Sequence, residues 1–326
     1  MGTYDDMLPL QPPVRLPPDD ELADAVRATP LAAEILRRDA AGDPRANAEM
    51  AAALRDGTAE RTLQTWSEVC RALLAPEEAL LLEVVRLFLG TEPAEGDSPD
   101  VLASLGLVNA KGPYELTPLG RWIGRQVLAE AAGQEVPVMG SLAERDAAEL
   151  LHGLRSYPQA ERDEELAGWL AGREPARAAA EIAAVLGEAS PLGRAVGVEL
   201  LATRLGEEGR EALDGLLDEP RVGAGIAARL DREGHDPAPE DIAWVLVDMA
   251  AALLEFGGET SEVIESVANG MDADEQAGTL ALLALCDHPG TELVLRVFIE
   301  HHPDSRVSAA ARKALRRLHG LADARR

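Results

Sequence analysis

From residue 141 onward, apolar side chains recur at helical spacing in short blocks broken by Pro or Gly, and nowhere alternate as a half-buried strand would. The blocks run Leu142 to Leu154, Ala176 to Leu186, Gly193 to Leu205, Arg210 to Leu217 and Val222 to Leu230. They continue as Ile242 to Phe256, Val263 to Met271, Glu275 to Cys286, Thr291 to Glu300 and Arg306 to His319. The stripe Ile242, Val245, Leu246, Met249, Leu253 and Phe256 typifies an amphipathic helix. The pattern predicts a succession of short helices from 141 to 320.

Nearer the start, residues 8 to 18 hold five prolines, each fixing its own φ and excluding the preceding residue from the α region. They predict an extended strap, held to the protein's surface through Leu10, Val14 and Leu16 or offered as a Pro-rich ligand. Asp19-Asp20-Glu21 then put negative charge at a helix start, with Leu22 and Val26 following at helical spacing. Met50, Leu54, Leu63, Trp66, Val69, Cys70, Leu73 and Leu74 form further stripes around a break at Asp56-Gly57-Thr58. Leu80, Leu81, Val84, Val85, Leu87 and Phe88 are apolar nearly all round, which predicts a buried helix after Pro76.

Residues 98 to 130 interrupt this monotony. Ser98-Pro99 reads as a cap and first helical residue, opening a short helix that ends at Gly106. Leu107-Val108 and Tyr114-Glu115-Leu116 flank Asn109-Ala110-Lys111-Gly112-Pro113, the arrangement of a small hairpin. Thr117-Pro118 starts the next helix, with Leu119, Trp122, Ile123 and Val127 inward. The string from Leu105 to Arg121 resembles the strand, wing and strand that follow the recognition helix of winged-helix proteins. That resemblance implies DNA contact from 77 to 130, with Lys111, Arg121 and Arg125 together on an exposed face. The charges oppose it, because Glu92, Glu95, Asp97 and Asp100 occupy the approach to the recognition helix and no basic residue lies between Arg86 and Lys111.

Three segments leave a proline break and enter a helix through an arginine: Pro191 to Arg194, Pro220-Arg221, and Pro303 to Arg306. The last, running from His302 to Leu315, resembles the second helix of a HEAT repeat. The resemblance implies an α-solenoid of stacked antiparallel helix pairs over 141 to 320, each pair unable to bury its face alone. The expected organisation is therefore an all-α protein with one minor β-hairpin. A Pro-rich strap (1 to 18) is followed by a helical domain (19 to 135) with the winged-helix-like segment. A HEAT-like domain (141 to 320) and a basic tail (321 to 326) complete it.

Composition supports helix, since 46% of residues are hydrophobic but only 3% aromatic. A net charge of −27 disfavours generic adhesion to nucleic acid or anionic lipid. Cys70 and Cys286 form neither a disulfide framework nor a zinc pattern, and the start of the chain shows no secretory leader or myristoylation motif, so a cytoplasmic setting is expected. No apolar run reaches the ~18 residues a membrane span needs.

Against the general acidity, residues 301 to 326 carry seven basic and two acidic side chains. Arg312, Lys313, Arg316 and Arg317 form two pairs four residues apart, a solvated helix face or a contact for an acidic partner or nucleic acid. Val222 to Ala228 contains G-x-G-x-x-A, but no strand precedes it, so close helix packing through Gly223 and Gly225 is the expected role. Asp287-His288 and Glu300-His301-His302 lack metal-ligand spacing, and the acidic run from Glu161 to Glu165 reads as a solvated helix start. No nucleophile elbow, phosphate loop or other catalytic constellation is present, so no cofactor or metal is expected. The leading expectation is a non-catalytic interaction protein with a protein partner. A DNA-binding regulator is the alternative, and a DNA-modifying or repair enzyme of the kind that HEAT-like glycosylases represent is a third reading, which needs a basic groove.

Overall fold

The computed structural model describes residues 13–44, 47–91, 100–109, 111, 113–133, 135–232 and 237–324. The expected strap residues 8–12, the Ser98-Pro99 helix start, the acidic residues Glu92, Glu95 and Asp97, and the wing positions Ala110 and Gly112 lie outside them, as do Arg325 and Arg326. The chain is mostly helical and divides into two compact units, one from Pro9 to Met139 and one spanning Gly140 to Arg326.

The first unit contains α1 (Asp19–Arg27), α2 (Pro30–Ala40), α3 (Ala48–Asp56), α4 (Ala59–Leu74), α5 (Glu78–Phe88), α6 (Asp100–Ser104) and α7 (Pro118–Ala132). The helices begin where a hydroxyl or amide can accept an orphan backbone N–H: Thr29 takes that of Ala32, Asn47 that of Met50, Thr58 that of Arg61 and Thr117 that of Gly120. Leu22, Val26, Leu54, Trp66, Leu74, Val84, Leu102, Leu107 and Leu119 form the core. Arg27 clamps the α3–α4 turn, donating to the carbonyls of Leu54 (3.1 Å) and Gly57 (3.0 Å) and to the Thr62 hydroxyl (3.1 Å).

Two isolated bridges complete this unit. Val108 pairs antiparallel with Leu116, flanked by Asn109 N–H donating to Glu115 O (3.2 Å) and Thr117 N–H to Leu107 O (3.0 Å). Val14 pairs in parallel with Val138, its N–H donating to Pro137 O (2.9 Å) and its carbonyl accepting from Met139 N–H (3.0 Å). Helix α5 differs from expectation. It packs on α7, where Gly124 admits the Phe88 ring, but Leu82 is 47% exposed, and Glu83 and Val84 are its buried residues. An all-round apolar helix needs neighbours on every side, and α5 has one main partner.

The second unit contains α8 (Ala147–Leu154), α9 (Gln159–Leu170), α10 (Pro175–Val185), α11 (Pro191–Thr203), α12 (Gly206–Asp214) and α13 (Gly223–Arg229). It continues with α14 (Pro239–Phe256), α15 (Thr260–Ala268), α16 (Ala273–Leu283), α17 (Thr291–His301) and α18 (Ser305–Ala324). Three begin on proline, whose fixed φ and missing N–H suit the first helical position. Packing is mostly between helices near in sequence: α11 meets α8, α12 and α14; α14 meets α15, α16 and α17; α18 meets α16 and α17. Leu280, Leu283, Val294, Leu295, Phe298, Val307 and Ala311 make the core of the C-terminal half.

Helix α9 contains the acidic run expected to open a solvated helix, but the run is not wholly solvated. Glu165 is buried and accepts the N–H groups of Gly140 (2.6 Å) and Leu142 (2.7 Å), pinning the turn that opens the unit. A carboxylate with two backbone donors can be buried because its charge is hydrogen-bonded.

Candidate functional site

Helix α14 presents three faces. Ala243, Val247, Ala250 and Ala251 are buried, with Leu246, Leu253 and Leu254 packed beside them. The large residues of the stripe read from sequence are divided, because Ile242, Met249 and Phe256 are 47%, 50% and 57% exposed. These three recur every seven residues and form one exposed line, or seam, along the helix, while Val245 and Ala252, which fall between them, are half-buried and buried. At 1.5 Å per residue the seam is roughly 21 Å long. Helix α14 packs on α11, α15, α16 and α17 and touches α13, where Val245 lies 3.7 Å from the Cβ position of Gly225, while Ile242, Met249 and Phe256 remain exposed.

The third face is polar. Asp248 receives two parallel hydrogen bonds from Arg194, Nε to Oδ2 and Nη2 to Oδ1, each 3.0 Å. Arg194 is buried and also donates to the carbonyls of Leu186 (2.8 Å) and Gly187 (3.2 Å), with its guanidinium over the Trp244 ring. His288 is buried too. Its Nδ1 accepts the Gly290 N–H (2.9 Å), which leaves Nε2 to carry the proton donated to Asp248 Oδ1 (3.1 Å). One turn pair further along, Glu255 accepts from Leu192 N–H (3.0 Å) and lies 3.5 Å from Arg155, which donates to the Ser190 hydroxyl (3.0 Å). These groups tie α14 to α8, to the start of α11 and to the turn before α17. With Arg155, Arg194 and His288 buried and both carboxylates partly shielded, these mutually satisfied groups hold helices in register.

The arginines of the three proline-led entries therefore differ. Arg194 is internal, whereas Arg221 and Arg306 are exposed and pair with Glu188 (3.3 Å) and Asp304 (3.0 Å).

The basic residues singled out from sequence fall in two places. Arg312, Lys313, Arg316 and Arg317 are all exposed on α18, opposite Val307, Ala311 and Ala314, which face the core. In the first unit Lys111 and Arg121 are exposed, but Arg125 is half-buried and its Nε donates to Val136 O at 2.5 Å. That bond takes Arg125 off the exposed face it was expected to share with the other two. Gly223 opens α13 where a Cβ would fall 2.0 Å from Leu217 O, so close backbone packing explains this glycine of the G-x-G-x-x-A string.

Groove volume lies elsewhere. About 340 Å³ lies between α9 and α11 beside Arg162, Asp163, Glu199 and Arg204, and about 280 Å³ between α4 and α7 beside Leu74, Leu81, Ile123 and Val127. Cys70 borders the second, and burial pushes its thiol up to about 12. Among the described residues no group of three or more His, Cys, Asp or Glu side chains is placed to hold a metal ion, and no helix is long and apolar enough to cross a membrane.

No family model, curated protein or solved structure matches this chain.

Sequence reasoning missed two features of this region. Asp248 sits inside an apolar stretch and His288 lacks metal-ligand spacing; their pairing across 40 residues has no local signal. The seam did have one. Ile242, Met249 and Phe256 keep their heptad spacing independently of the alanines that fill the core. Around them, fourteen Asp or Glu and no Lys or Arg lie between Arg232 and Arg296.

Proposed function

We propose that this chain is a non-catalytic protein-interaction protein whose C-terminal unit, a HEAT-like stack of antiparallel helix pairs, engages a protein partner. The observation that carries the reading is the outward seam of α14. A helix that satisfies the core with Ala and Val, yet keeps Ile242, Met249 and Phe256 exposed in coiled-coil register, has an apolar surface suited to a second helix. The run of contacts from α8 and α11 through α14 to α18 supports the stacked arrangement. A reducing cytoplasmic setting is part of the proposal, in keeping with two buried free thiols, Cys70 and Cys286.

The test is affinity purification of the tagged full chain from cells in which it is native, with mass-spectrometric identification of what accompanies it. The wild type is expected to retain a partner protein at defined stoichiometry, and Met249→Asp with Phe256→Asp to lose it. Retention unchanged by both substitutions would remove the seam from the interaction. Absence of any stoichiometric protein would remove the reading altogether.

A further inference from the structure

We infer that the groove between α9 and α11 is a binding site for a small organic monocarboxylate, with Arg162 holding the anionic end and Val196 and Leu200 meeting the hydrocarbon part. This ligand site is separate from the α14 surface and does not rest on the interaction reading above.

Arg162 lies in the first part of α9 and is half-buried. Its Nη2 donates to the Tyr157 carbonyl (3.1 Å), while its Nε is shielded from water and has no acceptor. Among the described residues no carboxylate forms an ion pair with it. The buried arginines of the same unit are placed differently: Arg194 is matched by Asp248, and Arg155 by Glu255. Burial accordingly lowers the pKa of Arg162 from its ordinary value, with Asp163 opposing the shift in part. Arginine does not deprotonate in proteins, so the guanidinium stays charged in a setting that solvates it poorly. An anion arriving from outside relieves that cost.

The carboxylates lining the groove are already engaged. Asp163 pairs with Arg204 and accepts from Gln159 Nε2 (3.3 Å), and Glu199 pairs with Arg229 (2.9 Å). Arg162 is the lining cation left over. One surplus positive charge matches a monoanion, and a planar guanidinium matches a planar carboxylate. A phosphate dianion would instead bring excess negative charge beside Asp163 and Glu199.

The rest of the groove sets the size and polarity of the ligand. Val196 and Leu200 supply apolar surface to its wall, and Thr203 is exposed on the same helix. A volume of about 340 Å³ is at the small end of the ~300 to 1,000 Å³ of ligand pockets, which suits a compact acid.

The test is calorimetric titration of the full chain with benzoate, phenylacetate and hexanoate. The corresponding neutral amides keep the shape and remove the charge, and inorganic phosphate supplies charge without hydrocarbon. Arg162→Gln removes the proposed anchor. Arg210→Gln removes the same charge from an exposed arginine on α12, outside the groove. Thr203→Trp fills the groove from an exposed position and leaves Arg162 in place, so it decides the matter even if Arg162→Gln perturbs α9.

At least one acid is expected to bind saturably with Kd of about 1 mM or tighter, and its amide and phosphate about tenfold more weakly or worse. Arg162→Gln and Thr203→Trp should each lose about tenfold or more, with Arg210→Gln within about twofold of wild type. Circular dichroism checks that each variant is folded. Absence of saturable binding for all three acids overturns the inference. So does an amide or phosphate that binds as tightly as the acid, or an affinity unchanged in folded Arg162→Gln or in Thr203→Trp.

Discussion

Arg194 and Asp248 stand 54 positions apart in sequence and meet side by side through two hydrogen bonds of 3.0 Å, joining the first turn of α11 to the middle of α14. Both are mostly shielded from water, so each depends on the other for its charge to be tolerated. Removing one partner is then worse than removing both. Asp248→Ala is expected to destabilise the second unit by about 3 to 5 kcal/mol, because it leaves a buried guanidinium unpaired and takes the acceptor from His288 Nε2. The double substitution Arg194→Met with Asp248→Leu should recover much of that loss. Urea unfolding of the single and double variants measures the difference, and a double variant no better than Asp248→Ala would show that the pair does not act as a unit.

Glycines separate into those the backbone requires and those it does not. At Gly120 a Cβ would sit 1.9 Å from Leu107 O, where α7 crosses the bridge formed by Val108 and Leu116. Gly120→Ala should cost the first unit more than about 2 kcal/mol, since backbone must move to admit it. Gly278, exposed within α16 with nothing within 4 Å of its missing Cβ, should behave oppositely. Gly278→Ala is expected to stabilise by about 0.5 to 1 kcal/mol. Thermal melts of the two variants, moving in opposite directions, check both.

Alkaline stability follows from two buried groups. Burial raises the Cys70 thiol from 9.0 to about 12, and burial reinforced by the Glu165 carboxylate raises the Tyr157 phenol from 10.0 to about 12. In the unfolded chain both release protons near their ordinary values, whereas the folded chain holds them until about 12. The unfolded state thus binds fewer protons in that window, and stability falls as pH rises. It is fully present below about pH 9 and progressively lost toward pH 12. Cys70→Ala should flatten the decline in the first unit and Tyr157→Phe that in the second, read from denaturant midpoints at successive pH values. Declines as steep as wild type in both would separate these groups from the effect.

Duplex DNA should not be retained. With Arg125 donating to Val136 O, the exposed cations of the hairpin region named from sequence are Lys111 and Arg121. These two, and the four exposed cations of α18, neutralise few phosphates within a chain of net charge −27. An electrophoretic shift assay at low salt is expected to show no retarded band. A salt-sensitive band that Lys111→Glu abolishes would restore the DNA-binding alternative.

The helical class and most helix positions were legible because 3.6-residue periodicity is a local property, as was the pairing of Val108 with Leu116. Where periodicity is ambiguous, inference stopped. Helix α14 has apolar residues on two faces, and nothing local says that Ala243, Val247 and Ala250 go inward while Met249 and Phe256 go out. Helix α5, apolar all round, was read as buried for the same reason, yet Leu82 is exposed. Contacts between distant positions left no trace either. Glu165 sits in a run of charges that looks solvated, and its use by Gly140 and Leu142 N–H depends on a turn more than 20 residues away. Of the candidate site, the cations of α18 were visible as a cluster, whereas the Arg194, Asp248 and His288 constellation required the fold.

The pairing of Val14 with Pro137 and Met139 brings the two ends of the first unit to neighbouring positions. A segment whose ends meet is topologically a loop, so its order along the chain is a matter of where the loop is opened. Joining residue 139 to residue 13 through a short linker and opening a new pair of termini at Gly42, which is exposed and has nothing packed against its missing Cβ, should give a permuted domain with the same core.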